Sequence, residues 1–370
     1  MSKKNRISKL SIAGFKSLRS LPDFELGNLN VLLGANGAGK SGFVSYFRML
    51  GEMVEERLQK WTKQQGTVDR VVSFGIKETQ RIESFVRFGL NGYKFVLDTT
   101  VDGDFVFSEE YVFFDGPYYG PKWIDLGSGH QEAKIKERFL ASLPESEVDY
   151  CYSSISSWKV FHFHDTSDTA GVKRWGSLQD NDYLRPDASN LAAYLYQLRE
   201  DEPEVYEQIR KTVQLAVPFF DDFALKPRKI KGDDEQVRLL WRQNDSDYTF
   251  SPTQLSDGSI RFICLVTALL QSDPPSTIII DEPELGLHPY AITLLASLLR
   301  SASTRMQVVV STQSVPLVDE FTMDDLIIVE RERGDTVFKR LDAEELQSWL
   351  EDYTLGELWG KNILGGRPRK

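Results

Sequence analysis

Apolar positions in this chain fall into short runs, and most of them carry the period of strands. Residues 7–12 (Ile-Ser-Lys-Leu-Ser-Ile) alternate as a half-buried strand does, and residues 24–33 read as a second strand ending in the apolar run Val31-Leu32-Leu33. Residues 68–114 are dense in Val, Phe and Tyr with turn punctuation at Asn91-Gly92 and Asp102-Gly103, which predicts an antiparallel sheet of several strands. Residues 117–129 read as a Gly/Pro-rich loop, 131–143 as a helix, 159–163 as a strand, 190–217 as mainly helical with a break near Pro203, and 228–250 as a hairpin. In the C-terminal third, residues 277–281, 307–311 and 326–330 are apolar runs separated by helix-length spacers, the pattern of parallel strands, and a helix is expected over 343–350. The fold class is therefore α/β, with no internal repeat and no sustained heptad.

Composition narrows this only a little. The 370 residues are 41% hydrophobic and 27% charged, which suits a globular chain with a sizeable core. The longest apolar stretches, such as 262–270 and 277–280, fall far short of a membrane span, and residues 10–15 are too short for a signal-peptide core, so a cytoplasmic protein without a membrane partner is expected. Cys151 and Cys264 are far apart in sequence, and Cys264 lies in an apolar helical run, so two buried thiols are predicted rather than a disulfide or metal site. A net charge of -11 argues against a surface coated with basic residues for duplex DNA. Lys3, Lys4, Arg6 and Lys9 at one end and Arg367, Arg369 and Lys370 at the other read as solvated tails.

The candidate chemistry begins at residues 34–41, which read G-x-x-x-x-G-K-S between a strand and a helix, the Walker A phosphate loop. Glycines let the backbone turn inward, so that successive N–H groups and the helix N-terminus face a phosphate. The candidate ATP-binding residues are Gly34, Asn36, Gly37, Ala38, Gly39, Lys40 and Ser41, with Lys40 reaching the β and γ phosphates and Ser41 ligating Mg2+. Residues 278–283 (Ile-Ile-Ile-Asp-Glu-Pro) form an apolar strand ending in two carboxylates. Alone this is a strand with an acidic turn; downstream of a phosphate loop it is a Walker B motif, with Asp281 for Mg2+ and Glu282 as the base that orients or deprotonates an attacking water. Upstream, residues 255–259 (Leu-Ser-Asp-Gly-Ser) place Ser256 as N-cap of a helix through 260–270. The same capped terminus is an anion-binding surface.

With these pieces the chain resembles ATP-binding-cassette type ATPases, and within them the RecF, SMC and OLD-like AAA group. The resemblance rests on residues 12–17 (IAGFKS), GANGAGKS, LSDGS and residues 278–289 (IIIDEPELGLHP), and spans both ends of the chain. The stretch from Phe321 through Leu355-Gly356-Glu357-Leu358-Trp359 to Gly365-Gly366-Arg367-Pro368 also looks like a branch of stand-alone bacterial ATPases of that group. The fold it implies is an ABC-type head: a mixed central sheet with helices on both faces, an antiparallel β subdomain and a helical lobe. Residues 1–65 would form the phosphate-loop core, 66–160 the β-rich lobe, 161–254 a linking and helical lobe, and 255–370 the signature, Walker B core and C-terminal helix.

In that group an LSGG-like signature completes the site of the opposite subunit, so two heads enclose two ATP molecules. The resemblance thus implies an ATP-dependent homodimer or higher oligomer, in which Ser256 and Gly258 contact the γ-phosphate in trans and residues 285–287 form a dimer-facing loop. The group's switch histidine falls here on Gln313, which can donate a hydrogen bond or position water but cannot carry a proton, so slow hydrolysis is expected. Lys40, Glu282 and Gln313 are then the catalytic set. Gln131 and Gln179 are the two candidates for the group's lobe-linking glutamine.

The chain shows neither the heptad arms of SMC proteins nor the Asn-Lys-x-Asp motif of GTPases, and with about forty residues after Glu330 no Toprim nuclease is expected. His162 and His164 would share one face of a strand at a spacing open to metal ligation, although no third histidine or cysteine is close in sequence; a structural or nucleotide-adjacent role is expected. The expected function is a dimeric ATPase switch controlling a separate effector protein, such as a nuclease in a bacterial defence-type system. RecF-like binding of duplex DNA is the alternative, and a transport subunit fits less well.

Overall fold

The strand ending in the phosphate loop, Leu29–Leu33, is buried along its whole length, and its side chains alternate between two hydrophobic cores. The computed structural model describes residues 5–117, 120–230 and 234–366; the tail residues Lys3, Lys4, Arg367, Arg369 and Lys370, and Pro368, lie outside the described residues. Leu29–Leu33 sits inside a six-stranded sheet of order Asp335–Arg340, Leu326–Glu332, Leu29–Leu33, Gln307–Thr312, Thr277–Asp281, Lys159–Phe161. All neighbours are parallel except the first pair. Val31, Leu33, Ile278, Ile280, Val308 and Val310 point to one face, where the helices Leu191–Asp201, Pro203–Ala216, Asp257–Leu270 and Pro289–Arg305 cover them. Leu32, Ile279, Val309, Ile327 and Val329 point to the other. The period-2 pleat thus puts apolar side chains on both faces, as a buried parallel sheet requires.

On that second face lies the helix Lys40–Val54, and beyond it a second, antiparallel sheet of order Leu18–Glu25, Ile7–Phe15, Arg81–Phe88, Asn91–Thr99, Phe105–Gly116, Gly120–Asp125. Phe43, Tyr46, Phe47, Met49 and Leu50 pack into one cluster with Ile12, Val86, Phe95 and Phe107 of that sheet and with Ile279 and Val309 of the core sheet. Full burial of each such side chain stabilises by roughly 1.5–3 kcal/mol. The helix that begins at the phosphate loop is therefore clamped between two sheets. Cys151 and Cys264 are buried free thiols, as expected.

Several boundaries differ from the sequence reading. The run 24–33 is not one strand: Leu18–Glu25 ends in the antiparallel sheet and Leu29–Leu33 lies in the core sheet. The break is made by Asn30, whose side chain accepts from the Gly27 N–H at 2.9 Å and donates to the Gly27 carbonyl at 2.8 Å, closing a turn. Strands Ile7–Phe15 and Leu18–Glu25, assigned to the 1–65 core, accordingly belong to the antiparallel sheet. The turn expected at Asn91-Gly92 is at Gly89-Leu90, because Gly89 takes the left-handed conformation (φ 60). Gly92 lies within the strand, where a Cβ would stand 2.8 Å from the Phe85 ring.

Within the 117–129 region, Gly120–Asp125 is an edge strand, which tolerates Pro121. The helix expected over 131–143 is shorter, Ile135–Ala141, and a further helix, Glu147–Ser157, follows. Its Ser-rich sequence has weak helix propensity; burial of Val148, Cys151 and Ile155 holds it. The 228–250 region is not one hairpin. Its strands divide between two small three-stranded sheets, since Trp241 stacks on Phe250 and Phe220 and draws Trp241–Gln243 away from Glu235–Val237.

Candidate nucleotide site

The loop after Leu33 is shaped by contacts that only glycine permits. At Gly34 a Cβ would stand 2.4 Å from the Val329 carbonyl oxygen, and at Gly39, which is left-handed (φ 111), it would meet Thr336 Oγ1 at 1.8 Å. Gly37 is also left-handed but faces open space. The helix Lys40–Val54 starts with no side-chain cap and no acidic residue in its first turn. Among the described residues, no backbone carbonyl accepts from the N–H groups of Gly37, Gly39, Lys40 or Ser41. A helix N-terminus with free donors behind a glycine loop suits a phosphate. Lys40 is buried and its Nζ donates to the carbonyls of Gly34 (2.5 Å) and Ala35 (3.2 Å). Burial pushes its pKa down, against the pull of Glu282, Asp281 and Glu284. Ser41 is exposed on the first turn.

Those three carboxylates meet three consecutive side chains at the end of the neighbouring strand. Asp281 is in register with Ser311 and accepts from its hydroxyl. Glu282 accepts from Gln313 Nε2 at 3.2 Å, and Glu284 from the Thr312 hydroxyl. The structure therefore brings Lys40, Asp281, Glu282 and Gln313 to one place. Glu282 is held left-handed (φ 44), with its N–H on the Ser311 carbonyl at 2.9 Å. A non-glycine residue in this region costs of order 1–3 kcal/mol and is typical of functional sites. Sequence reasoning missed Glu284. It is buried, its Oε2 has no hydrogen-bond partner among the described residues, and burial pushes its carboxyl above the usual range against the hydrogen bond from Thr312. Its only sequence signal was a third carboxylate in Asp281-Glu282-Pro283-Glu284.

Neither glutamine candidate reaches this cluster. The Gln131 carbonyl accepts from Gln59 Nε2, and Gln179 is exposed beside the Gly176–Ser177 strand. The segment next to Walker B is instead 162–165, which leaves the edge strand Lys159–Phe161 parallel to Thr277–Asp281. His164 Nε2 donates to the Asp281 carbonyl at 2.9 Å. His162 Nδ1 and Arg48 Nε are buried without a hydrogen-bond partner among the described residues, and burial, with Arg48 next in effect, lowers the His162 pKa. Among the described residues no group of three or more His, Cys, Asp or Glu is arranged to hold a metal ion. Mg2+ commonly binds through one or two carboxylates plus substrate phosphates, so Asp281 and Ser41 still suit it.

Ser256 caps the helix Asp257–Leu270, accepting from the Ser259 N–H at 3.1 Å. Among the described residues no hydrogen bond links it to the phosphate loop. Gly258 packs within its own chain, since a Cβ there would stand 2.3 Å from the Gly286 carbonyl oxygen. Gly258→Ala should therefore lower monomer stability by about 1–3 kcal/mol, read as a reduced urea midpoint without nucleotide. Unchanged stability would mean that the glycine serves only contacts outside its own chain. Arg261 of the same helix, buried, donates to the carbonyls of Phe163 (2.8 Å), His164 (3.3 Å) and Leu285, tying this helix to both segments beside Walker B.

Comparison with known proteins bears on the fold and the family. Solved structures similar to this one include an Smc head bound to the C-winged helix domain of ScpA, with a TM-score of 0.60 and 14% identity over 93% of this chain and 99% of that one. Another is an Smc head with an extended coiled coil, bound to the C-terminal domain of ScpA derived from Pyrococcus furiosus, with a TM-score of 0.57 and 14% identity over 94% and 99%. They establish the ABC-type head fold. Residues 29–320 match the family described as "AAA domain, putative AbiEii toxin, Type IV TA system". The chain thus belongs to this family of AAA ATPases, and its fold is that of an SMC-like head.

Proposed function

We propose that this protein is an ATP-hydrolysing switch, active as an ATP-dependent homodimer, that controls a separate effector protein in a defence-type system. The observation that carries the reading is the division of the site. Lys40, Asp281, Glu282 and Gln313 converge within one chain, while Ser256 stands exposed at a capped helix N-terminus with no hydrogen bond to its own phosphate loop among the described residues. A second copy would supply that terminus to the γ-phosphate. Mg2+, held by Ser41 and Asp281, would neutralise phosphate charge. Gln313 would orient the attacking water, and Glu282 would accept its proton. The family's description as an AAA domain of a Type IV TA system and the ScpA domains bound to Smc heads support a partner protein as the output.

Light scattering with Mg2+ and ATP should double the mass of the monomer. Ser256→Arg should block that doubling while the monomer stays folded, its stability lowered only by the roughly 0.5–2 kcal/mol that loss of the Ser256 cap on the Ser259 N–H costs. A Ser256→Arg protein that still dimerises with ATP would refute the shared site. Co-expression with neighbouring genes should yield a stable partner; recovery of the ATPase alone, with and without ATP, would remove the effector from the proposal.

A further inference from the structure

The third carboxylate of the site, Glu284, has no role in the reading above, yet its placement is costly. The residue is only 7% exposed, and Oε2 is buried with no hydrogen-bond partner among the described residues. A buried acid with one unanswered oxygen is disfavoured by lost hydration, and an apolar or hydroxyl side chain would fill the space more cheaply. What Glu284 does hold is specific. The Ser314 N–H donates to Thr312 Oγ1 at 3.0 Å, and the Thr312 hydroxyl, with its single hydrogen, donates to Glu284 Oε1. Ser314 Oγ in turn caps the next helix, Val315–Val318, by accepting from the Leu317 N–H. Gln313 thus lies between two anchored residues. With Thr312 drawn to Glu284, alternation along the chain sends Gln313 the other way, onto Glu282.

We propose that Glu284 is a positioning residue for hydrolysis: through Thr312 it fixes residues 312–314 so that the Gln313 amide stays on Glu282. The inference rests on the ATPase reading of this site. It requires an acceptor oxygen at position 284 rather than a charge, which separates it from an electrostatic role for the same carboxylate.

Two measurements on the purified full chain test it. The first needs no nucleotide: amide hydrogen exchange over residues 312–318 should rise about tenfold in Glu284→Leu and Thr312→Val, and Glu284→Gln, whose amide oxygen still accepts from Thr312, should restore most of the protection. The second is kinetic: both apolar variants should lose roughly 10- to 100-fold in kcat while the Kd for a fluorescent ATP analogue stays within about twofold, the split expected from misplacing a group that acts during reaction. Gln313→Ala combined with Glu284→Leu should be no slower than Gln313→Ala alone, because Glu284 acts through the placement of the Gln313 amide. Exchange unchanged in the apolar variants, a Gln variant as impaired as Leu, or parallel losses in Kd and kcat would each overturn the positioning role. If wild-type protein showed no turnover, the ATPase reading would fail instead, and the exchange result would still decide whether Glu284 anchors the switch segment.

Discussion

Glu282→Gln is expected to slow ATP turnover by about 10²- to 10⁴-fold, the usual contribution of a positioned base, while nucleotide-driven dimerisation persists. The backbone argues for so clean a separation. Glu282 is held at φ 44 by its N–H bond to the Ser311 carbonyl, an arrangement that does not depend on the side-chain charge. A glutamine fits the same space and still offers an oxygen to Gln313 Nε2, so the shape of the site survives and only the proton acceptor is lost. Because Gln313 cannot take over the proton, no neighbouring side chain at the switch position replaces it. Single-turnover hydrolysis and light scattering on the same sample check both halves. Turnover at the wild-type rate would remove Glu282 as the base, and loss of dimerisation would show that its charge serves assembly.

Lys40→Ala should act one step earlier, on binding. Removing one partner of a buried, hydrogen-bonded charge contact costs about 2–5 kcal/mol, or roughly 30- to 5,000-fold in the Kd for ATP. The carboxylates of Glu282, Asp281 and Glu284 all act on the Lys40 ammonium, so its loss also leaves negative charge unbalanced where a polyphosphate must sit. Lys40→Met separates the two effects, since it keeps the packing of the stem and removes only the charge. Titration with a fluorescent ATP analogue should show both variants weakened, and a Kd within threefold of wild type would contradict the role of Lys40.

Much of the fold was legible because its signals are local. The parallel strands at 277–281, 307–311 and 326–330 are β-branched runs of strand length, and Pro203 at the start of Pro203–Ala216 marks a helix boundary through its fixed φ. The errors have one physical origin. The 24–33 run was divided by an asparagine closing a turn on Gly27, and the 228–250 region by the stacking of Trp241, contacts that no hydrophobic period records. The candidates for the lobe-linking glutamine were Gln131 and Gln179, whereas the segment that lies beside Walker B is 162–165, and that placement is a matter of sheet order.

By itself the sequence determined the phosphate loop, the Asp281 and Glu282 pair and the capped helix at Ser256, because each is a chemistry written within a few adjacent residues. Tertiary structure alone decided that Asp281, Glu282 and Glu284 meet Ser311, Gln313 and Thr312, that Gly258 must be glycine to clear Gly286, and that Ala35 donates its N–H to the Gly366 carbonyl. These contacts join segments far apart in the chain. They exist because two sheets clamp the helix Lys40–Val54 and bury both faces of the core sheet, a sum of packing over the whole molecule that no short window of sequence contains.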